Sequence, residues 1–220
     1  MKPEQVTIIM PTKGRRAHAA AVLAAVSHRP FLVVVDECDP ASVPPDLTGA
    51  KLVLVKPGSG IVKAMEAGIV AAATSHVACI CDDVAFPDGD VWLAEACRVY
   101  YETIGDRDGV VALNDGIRSD IACFPLMSRK FYMEHMHPAP YRRYYMDTEL
   151  SAKAQHLGVY AVATGARVTH LNIGAHDGAA LENEGQIFRA RMAEFEAKNT
   201  PHPVPLPIAP PTPQRGEGDE

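Results

Sequence analysis

Residues 76–92 read HVACICDDVAFPDGDVW, an apolar run that ends on two adjacent carboxylates, Asp82 and Asp83. Aspartates at a strand end also open ordinary turns. After a buried run, however, two neighbouring negative charges repel in a poorly solvated place, and a cation relieves that repulsion. The ends of the neighbouring apolar runs carry related chemistry: PTKGRR after VTIIM, Asp36-Glu37 after FLVVV, KPGSG after KLVLV, and Asn114-Asp115 within GVVALND. Carboxylates, basic side chains and glycine loops gathered in this way suit a metal ion and a phosphorylated ligand held together.

The elements that must position these groups alternate between β-rich and Ala-rich runs. Strands are expected at 6–10 (stopped by Pro11), 31–35, 51–55, 76–81, 109–114 and 120–125, with helices over 15–28, over IVKAMEAGIVAAA around Gly68, and in the Asp-led stretch DGDVWLAEACRVYYETI. Strands that read as continuous apolar runs between helices predict an α/β fold, a Rossmann-like, mostly parallel sheet with helices on both faces. In such sheets ligands collect outside the carboxyl ends of the strands. The second half is less regular. It reads as a Pro- and aromatic-rich loop at 133–145, a helix over MDTELSAKAQHLG closed by Gly158, short strands in VYAVA and ARVTH, and a final helix over AALENEGQIFRARMAEFEAK. Gly185 inside that helix costs about 1 kcal/mol relative to Ala. One domain is expected over 1–198, followed by a Pro-dense tail of disordered or polyproline character.

At 220 residues and 47% hydrophobic content the chain can bury a substantial core. Lys and Arg number 21 against 27 Asp and Glu, a net charge of −6, so nucleic acid and anionic membranes are not expected partners, although a local basic patch stays open. The five-residue apolar run near the N-terminus is too short for a signal-peptide core or a membrane span, which points to a cytoplasmic protein without integral membrane association. Five cysteines without a repeated spacing indicate reduced thiols rather than a disulfide framework.

Five segments, in order, carry a family resemblance. VTIIMPTKGRR resembles the opening V-x-I-I-x-P-T-x-x-R of family 2-like glycosyltransferases with the GT-A fold, and VVVDE resembles their nucleotide-binding second strand. CICDDV resembles their D-x-D metal motif, MDTELSAKAQHLG the later E-D-x-E-L segment with the catalytic base, and VTHLNIG the His-containing strand near the end of the domain. The matches span roughly 6–177. The resemblance implies a glycosyltransferase moving a sugar from a nucleotide-diphosphate donor, with a UDP-sugar favoured, an inverting displacement, and Mn²⁺ or Mg²⁺ as cofactor. The acceptor stays open.

Carried over residue by residue, Asp83 and His170 become metal ligands, with Asp82 contacting the metal, a water or the ribose. An imidazole beside carboxylates tilts the choice toward Mn²⁺. Asp36 stands where the family holds the nucleotide base or ribose, Thr12 and Arg15 where a first loop meets nucleotide or phosphate, and Lys63 within reach of the diphosphate. Asp147 takes the place of the catalytic base, with Glu149 in reserve. Bland roles are available for most of these residues: a packed His170, a helix cap at Thr12 and Arg15, a solvated helix face at Lys63, and dipole-favouring charge at Asp147 and Glu149. The sequence departs from the pattern at Cys81, in place of the first Asp of D-x-D, and at Met146, in place of the Glu before the base. These departures keep a non-catalytic nucleotide-binding module open. A nucleotidyltransferase also stays open, although PTKGRR has a single Gly where a glycine-rich phosphate loop is expected.

Overall fold

The computed structural model describes residues 1–36, 40–47, 49–171 and 178–199. Its elements in chain order are β1 (Val6–Thr12), α1 (Arg16–Ala25), β2 (Phe31–Asp36), β3 (Lys51–Val55), α2 (Ile61–Ala71), β4 (His76–Cys79), β5 (Val84–Ala85), α3 (Val91–Val99), β6 (Val110–Asn114), β7 (Pro125–Ser128), α4 (Arg129–His135), α5 (Met146–His156), β8 (Tyr160–Arg167), β9 (Thr169–His170) and α6 (Gly178–Lys198).

Seven strands form one sheet in the order β3-β2-β1-β4-β7-β6-β8. Parallel pairing joins β3, β2, β1 and β4, and joins β6 to β8; β7 alone runs against its neighbours β4 and β6. Six carboxyl ends therefore open on one edge. The winding runs from β1 through β2 to β3 and then restarts on the far side of β1 with β4. Between β1 and β4 the loops diverge above and below the sheet and leave a crevice. Thr12 ends β1, and the loops leaving those two strands carry Lys13 to Arg15 and Asp82 to Asp83.

All seven residues of β1 are buried, which is why its sequence shows no polar alternation. Helix α2 lies close on this part of the sheet. A Cβ at Gly68 would come 2.4 Å from Ile9 Cγ2 and 3.1 Å from Val34 Cγ2, so the glycine sets how near the helix can approach. Tyr100, Trp92, Phe31 and Phe124 fill the core around the sheet.

The 120–125 strand expectation is corrected. The strand begins at Pro125 and runs to Ser128, antiparallel, while the Ala122 N–H is taken by the Ser151 hydroxyl at 2.8 Å instead of a ladder partner. The expected loop at 133–145 begins inside α4, whose start is capped by Ser128 Oγ accepting from the Phe131 N–H at 3.0 Å. Pro11 does not stop β1, since β1 continues in register through Thr12. The Pro-dense tail lies outside the described residues from Thr200 on. Asn199 itself donates from its N–H to the Phe195 carbonyl at 3.1 Å. Among the described residues no helix is long and apolar enough to cross a membrane.

Candidate active site

A second, two-stranded sheet brings distant sequence into the crevice. β5 and β9 pair antiparallel with Val84 opposite His170, and the Leu171 N–H donates to the Asp83 carbonyl at 2.8 Å. This places His170 Nε2 3.4 Å from Asp83 Oδ1. The other face of the imidazole is packed edge-on against Phe124, ring centres 5.5 Å apart, so packing and a polar contact coexist at His170.

The β1 loop meets the same carboxylates. The buried Thr12 hydroxyl donates to Asp82 Oδ2 at 2.7 Å, and Arg15 Nη1 donates to Asp82 Oδ1 at 3.2 Å and to Asp83 Oδ2. Burial pushes the Asp82 carboxyl above its usual range, and the Thr12 hydroxyl and the Arg15 charge pull it back only in part. Asp82 and Asp83 are each under 8% exposed, so the single guanidinium is their principal counter-charge.

These residues line a cleft of about 1130 Å³ together with Lys13, Asp147, Tyr144 and Glu184. Asp147 sits in the first turn of α5, and its Oδ1 accepts from the Thr148 N–H at 2.8 Å. Burial raises its carboxyl above the ordinary value. Arg118, Arg142 and Arg143 also face the cleft. Arg118 is paired with Asp120 through Nε at 3.0 Å and Nη2 at 2.6 Å.

Two of the sequence-derived candidates lie away from this cleft. Lys63 Nζ donates to Glu66 Oε2 at 2.7 Å, and that buried carboxylate also takes the Ala139 N–H and His137 Nδ1, each at 2.9 Å. Glu149 is wholly buried. Arg191 Nε reaches its two oxygens at 2.9 and 3.0 Å, and Lys153 and the Tyr141 hydroxyl bond it as well. Its lone pairs are spent inside the fold. Asp36 closes β2 opposite Val55; its side chain lies outside the described residues, as does Glu37. Asp115 is used locally, its Oδ1 accepting from the Ile117 and Arg118 N–H groups at 2.9 and 3.0 Å.

Cys81 and Cys123 line the cleft, and burial holds both thiols in the protonated form, Cys123 pushed up to about 12. Met146 lies in the cleft wall where the resemblance has a Glu. Glu184, Arg118 and Lys13 were not singled out by sequence. Only Lys13, inside the first loop, carried a local signal.

Among the described residues no three His, Cys, Asp or Glu side chains converge as a self-contained metal cage requires. Asp83 and His170 offer one hard oxygen and one imidazole nitrogen on the same side of the cleft, with Asp82 adjoining. Small divalent cations commonly take only one or two protein ligands and complete their shell with water and substrate phosphate oxygens. The donor set fits a cation shared with a diphosphate.

No family model matches the chain, and no curated protein matches it. Solved structures do. A mannosyltransferase from Pyrobaculum calidifontis in complex with GDP-Man and Mn²⁺ superposes with a TM-score of 0.64 at 14% identity, over 92% of this chain and 67% of that one. S. aureus TarS 1-349 in complex with UDP-GlcNAc gives 0.60 at 11% identity, over 87% of this chain and 66% of that one. Glucosyl-3-phosphoglycerate synthase from Mycobacterium tuberculosis in complex with Mn²⁺, UDP and glucosyl-3-phosphoglycerate gives 0.52 at 14%, over 88% and 79%. The fold is that of the GT-A glycosyltransferases.

Proposed function

We propose that the chain is a metal-assisted glycosyltransferase that moves a sugar from a nucleotide-diphosphate donor, with UDP-sugars favoured, to an acceptor hydroxyl with inversion. The observation that carries this reading is one cleft, at the β1/β4 crevice, lined by Thr12, Arg15, Asp82, Asp83, His170 and Asp147. The similar structures with bound GDP-Man, UDP-GlcNAc and UDP with Mn²⁺ support it.

Asp83 and His170 would hold a divalent cation, Mn²⁺ or Mg²⁺, with Asp82 beside it. When bound, that ion offsets the charge that develops on the departing diphosphate as the glycosidic bond breaks. The rest falls to side chains. Thr12 and Arg15 fix the Asp82 and Asp83 oxygens, and the Arg15 guanidinium offers a planar donor fork to phosphate. Asp36, at the end of β2, is assigned to the nucleotide base or ribose. Asp147 takes the proton of the acceptor hydroxyl as its oxygen attacks, and the burial that raises its pKa makes it a stronger base near neutral pH. Glu149 and Lys63 serve the fold instead, through the ion pairs already described. The described cysteines are free, which suits a reducing, cytoplasmic setting.

The test is release of UDP from a panel of UDP-sugars, with GDP-sugars in parallel, with and without Mn²⁺. Mn²⁺-dependent UDP release supports transfer. Pyrophosphate release from a nucleoside triphosphate plus a sugar phosphate would favour a nucleotidyltransferase. Saturable UDP binding without any turnover would favour a binding module.

A further inference from the structure

The buried carboxylate of Glu184, on α6, takes three consecutive backbone donors. Oε1 accepts from the Arg142 N–H at 3.2 Å, and Oε2 accepts from Arg143 at 3.3 Å and Tyr144 at 2.7 Å. Charge-assisted bonds of this kind are roughly twice as strong as neutral ones. The next residue of α6 leaves room for the same segment. A Cβ at Gly185 would come 3.0 Å from the Tyr145 hydroxyl oxygen and 3.2 Å from its Cζ, so Gly185 is where the ring lies against the helix. One turn on, Phe188 stacks on Tyr145 with ring centres 5.3 Å apart and planes 21° from parallel. On the opposite side the Val62 N–H of α2 reaches the Arg142 carbonyl at 3.4 Å.

The segment so gripped ends in strain. Tyr145 has φ 62°, the left-handed region, the one such non-glycine residue found among those described. That conformation is strained for a residue with a bulky side chain and persists where the surroundings over-determine it. Here they do, and α5 starts at the following residue, with Asp147 second in the helix.

We infer that Glu184 is a positioning residue: its carboxylate sets the 142–145 turn as one wall of the cleft and, through Tyr145, fixes the direction in which α5 presents Asp147. This rests on the reading of Asp147 as the base. The grip on the turn is a structural claim that stands apart from it.

Two readouts separate the two. Arg142 and Arg143 are exposed tryptic sites on a held backbone. Limited trypsin digestion of the full chain, followed by mass spectrometry and normalised to cleavage after Lys198, should show the bonds after Arg142 and Arg143 cut about tenfold faster or more in Glu184→Ala, the scale of one lost hydrogen bond to a charged group. Glu184→Gln keeps an acceptor oxygen and should fall between the two. With a turned-over donor, kcat should drop about tenfold or more in Glu184→Ala while donor KM moves less than about threefold, with partial recovery in Glu184→Gln. Wild-type nicking rates in both variants overturn the inference, and so does a kcat loss no larger than the loss of folded protein. If the wild-type chain turns over no nucleotide sugar, the reading of Asp147 as base fails on its own account. The digestion then decides whether Glu184 holds the turn.

Discussion

Thr12 and Asp82 are 70 residues apart, yet the Thr12 hydroxyl donates to Asp82 Oδ2 at 2.7 Å across the crevice between β1 and β4. The bond ties the last residue of β1 to the loop that leaves β4, on the two sides of the crevice. It also holds one oxygen of a buried carboxylate, leaving the other to Arg15.

Thr12→Val keeps the shape and removes the donor. The Asp82 oxygen left without its partner should cost about 1–3 kcal/mol of stability, measured by urea denaturation. Thr12→Ser should lose much less. Equal losses in the two variants would mean that packing of the Thr12 methyl, and not its hydroxyl, holds the loops.

Arg15 occupies oxygens of both Asp82 and Asp83 that a cation would use. Arg15→Ala should therefore bind Mn²⁺ more tightly than wild type when no nucleotide is present, and UDP in the presence of Mn²⁺ more weakly. Calorimetric titration of each ligand reads both. Unchanged Mn²⁺ affinity would remove Arg15 as a competitor for the carboxylates.

The two carboxylates of the α5 first turn should fail in different ways. Asp147→Asn should lower kcat about a hundredfold or more with little change in melting temperature, as expected for a lost general base. Glu149→Gln should cost roughly 3–5 kcal/mol of stability, because the buried Lys153 ammonium is left facing a neutral group, while the part-exposed Arg191 adds little. Circular-dichroism melts beside initial rates separate them, and a stable but inactive Glu149→Gln would reverse the assignment.

Burial raises the pKa of Asp147, so its charged, proton-accepting form appears only above the usual carboxylate range. The acid limb of the kcat/KM profile should accordingly lie above about pH 4, the ordinary Asp value, and disappear in Asp147→Asn. For stability the sign is the opposite: the folded chain binds this proton more tightly than the unfolded chain. The group therefore adds a destabilising contribution as pH rises from the unfolded to the folded pKa. Glu66 works the other way. Burial pushes its carboxyl up, but the bonds from Lys63, Ala139 and His137 prevail and hold it low, so its stabilisation is lost as pH falls through that lowered value.

Much of this was legible in sequence because buried parallel strands announce themselves. The runs VTIIM, FLVVV and KLVLV fell on β1, β2 and β3, and their polar ends fell on one sheet edge. β7 is displaced from 120–125 because Ala122 and Phe124 are as apolar as a strand but precede it in a loop, where the Ala122 N–H goes to the Ser151 hydroxyl and the Cys123 N–H to the Ile121 carbonyl. The roles of Lys63 and Glu149 were hidden for a related reason. A local pattern shows that a charged residue lies on a helix, but the pairing with Glu66 or Arg191 is decided by tertiary packing. Glu184 gave no signal at all, since the amides it holds lie about 40 positions away and are the same for any sequence. Gly185, which looked like a flaw in a helix, is explained by the Tyr145 ring beside it.

The proposed reaction turns most directly on the response of UDP binding to Mn²⁺ in the wild type and in Asp83→Ala. Titration calorimetry should show wild-type affinity for UDP rising about tenfold or more when Mn²⁺ is added, with no Mn²⁺ response in Asp83→Ala. UDP affinity indifferent to Mn²⁺ in the wild type, or an undiminished response in Asp83→Ala, would contradict it.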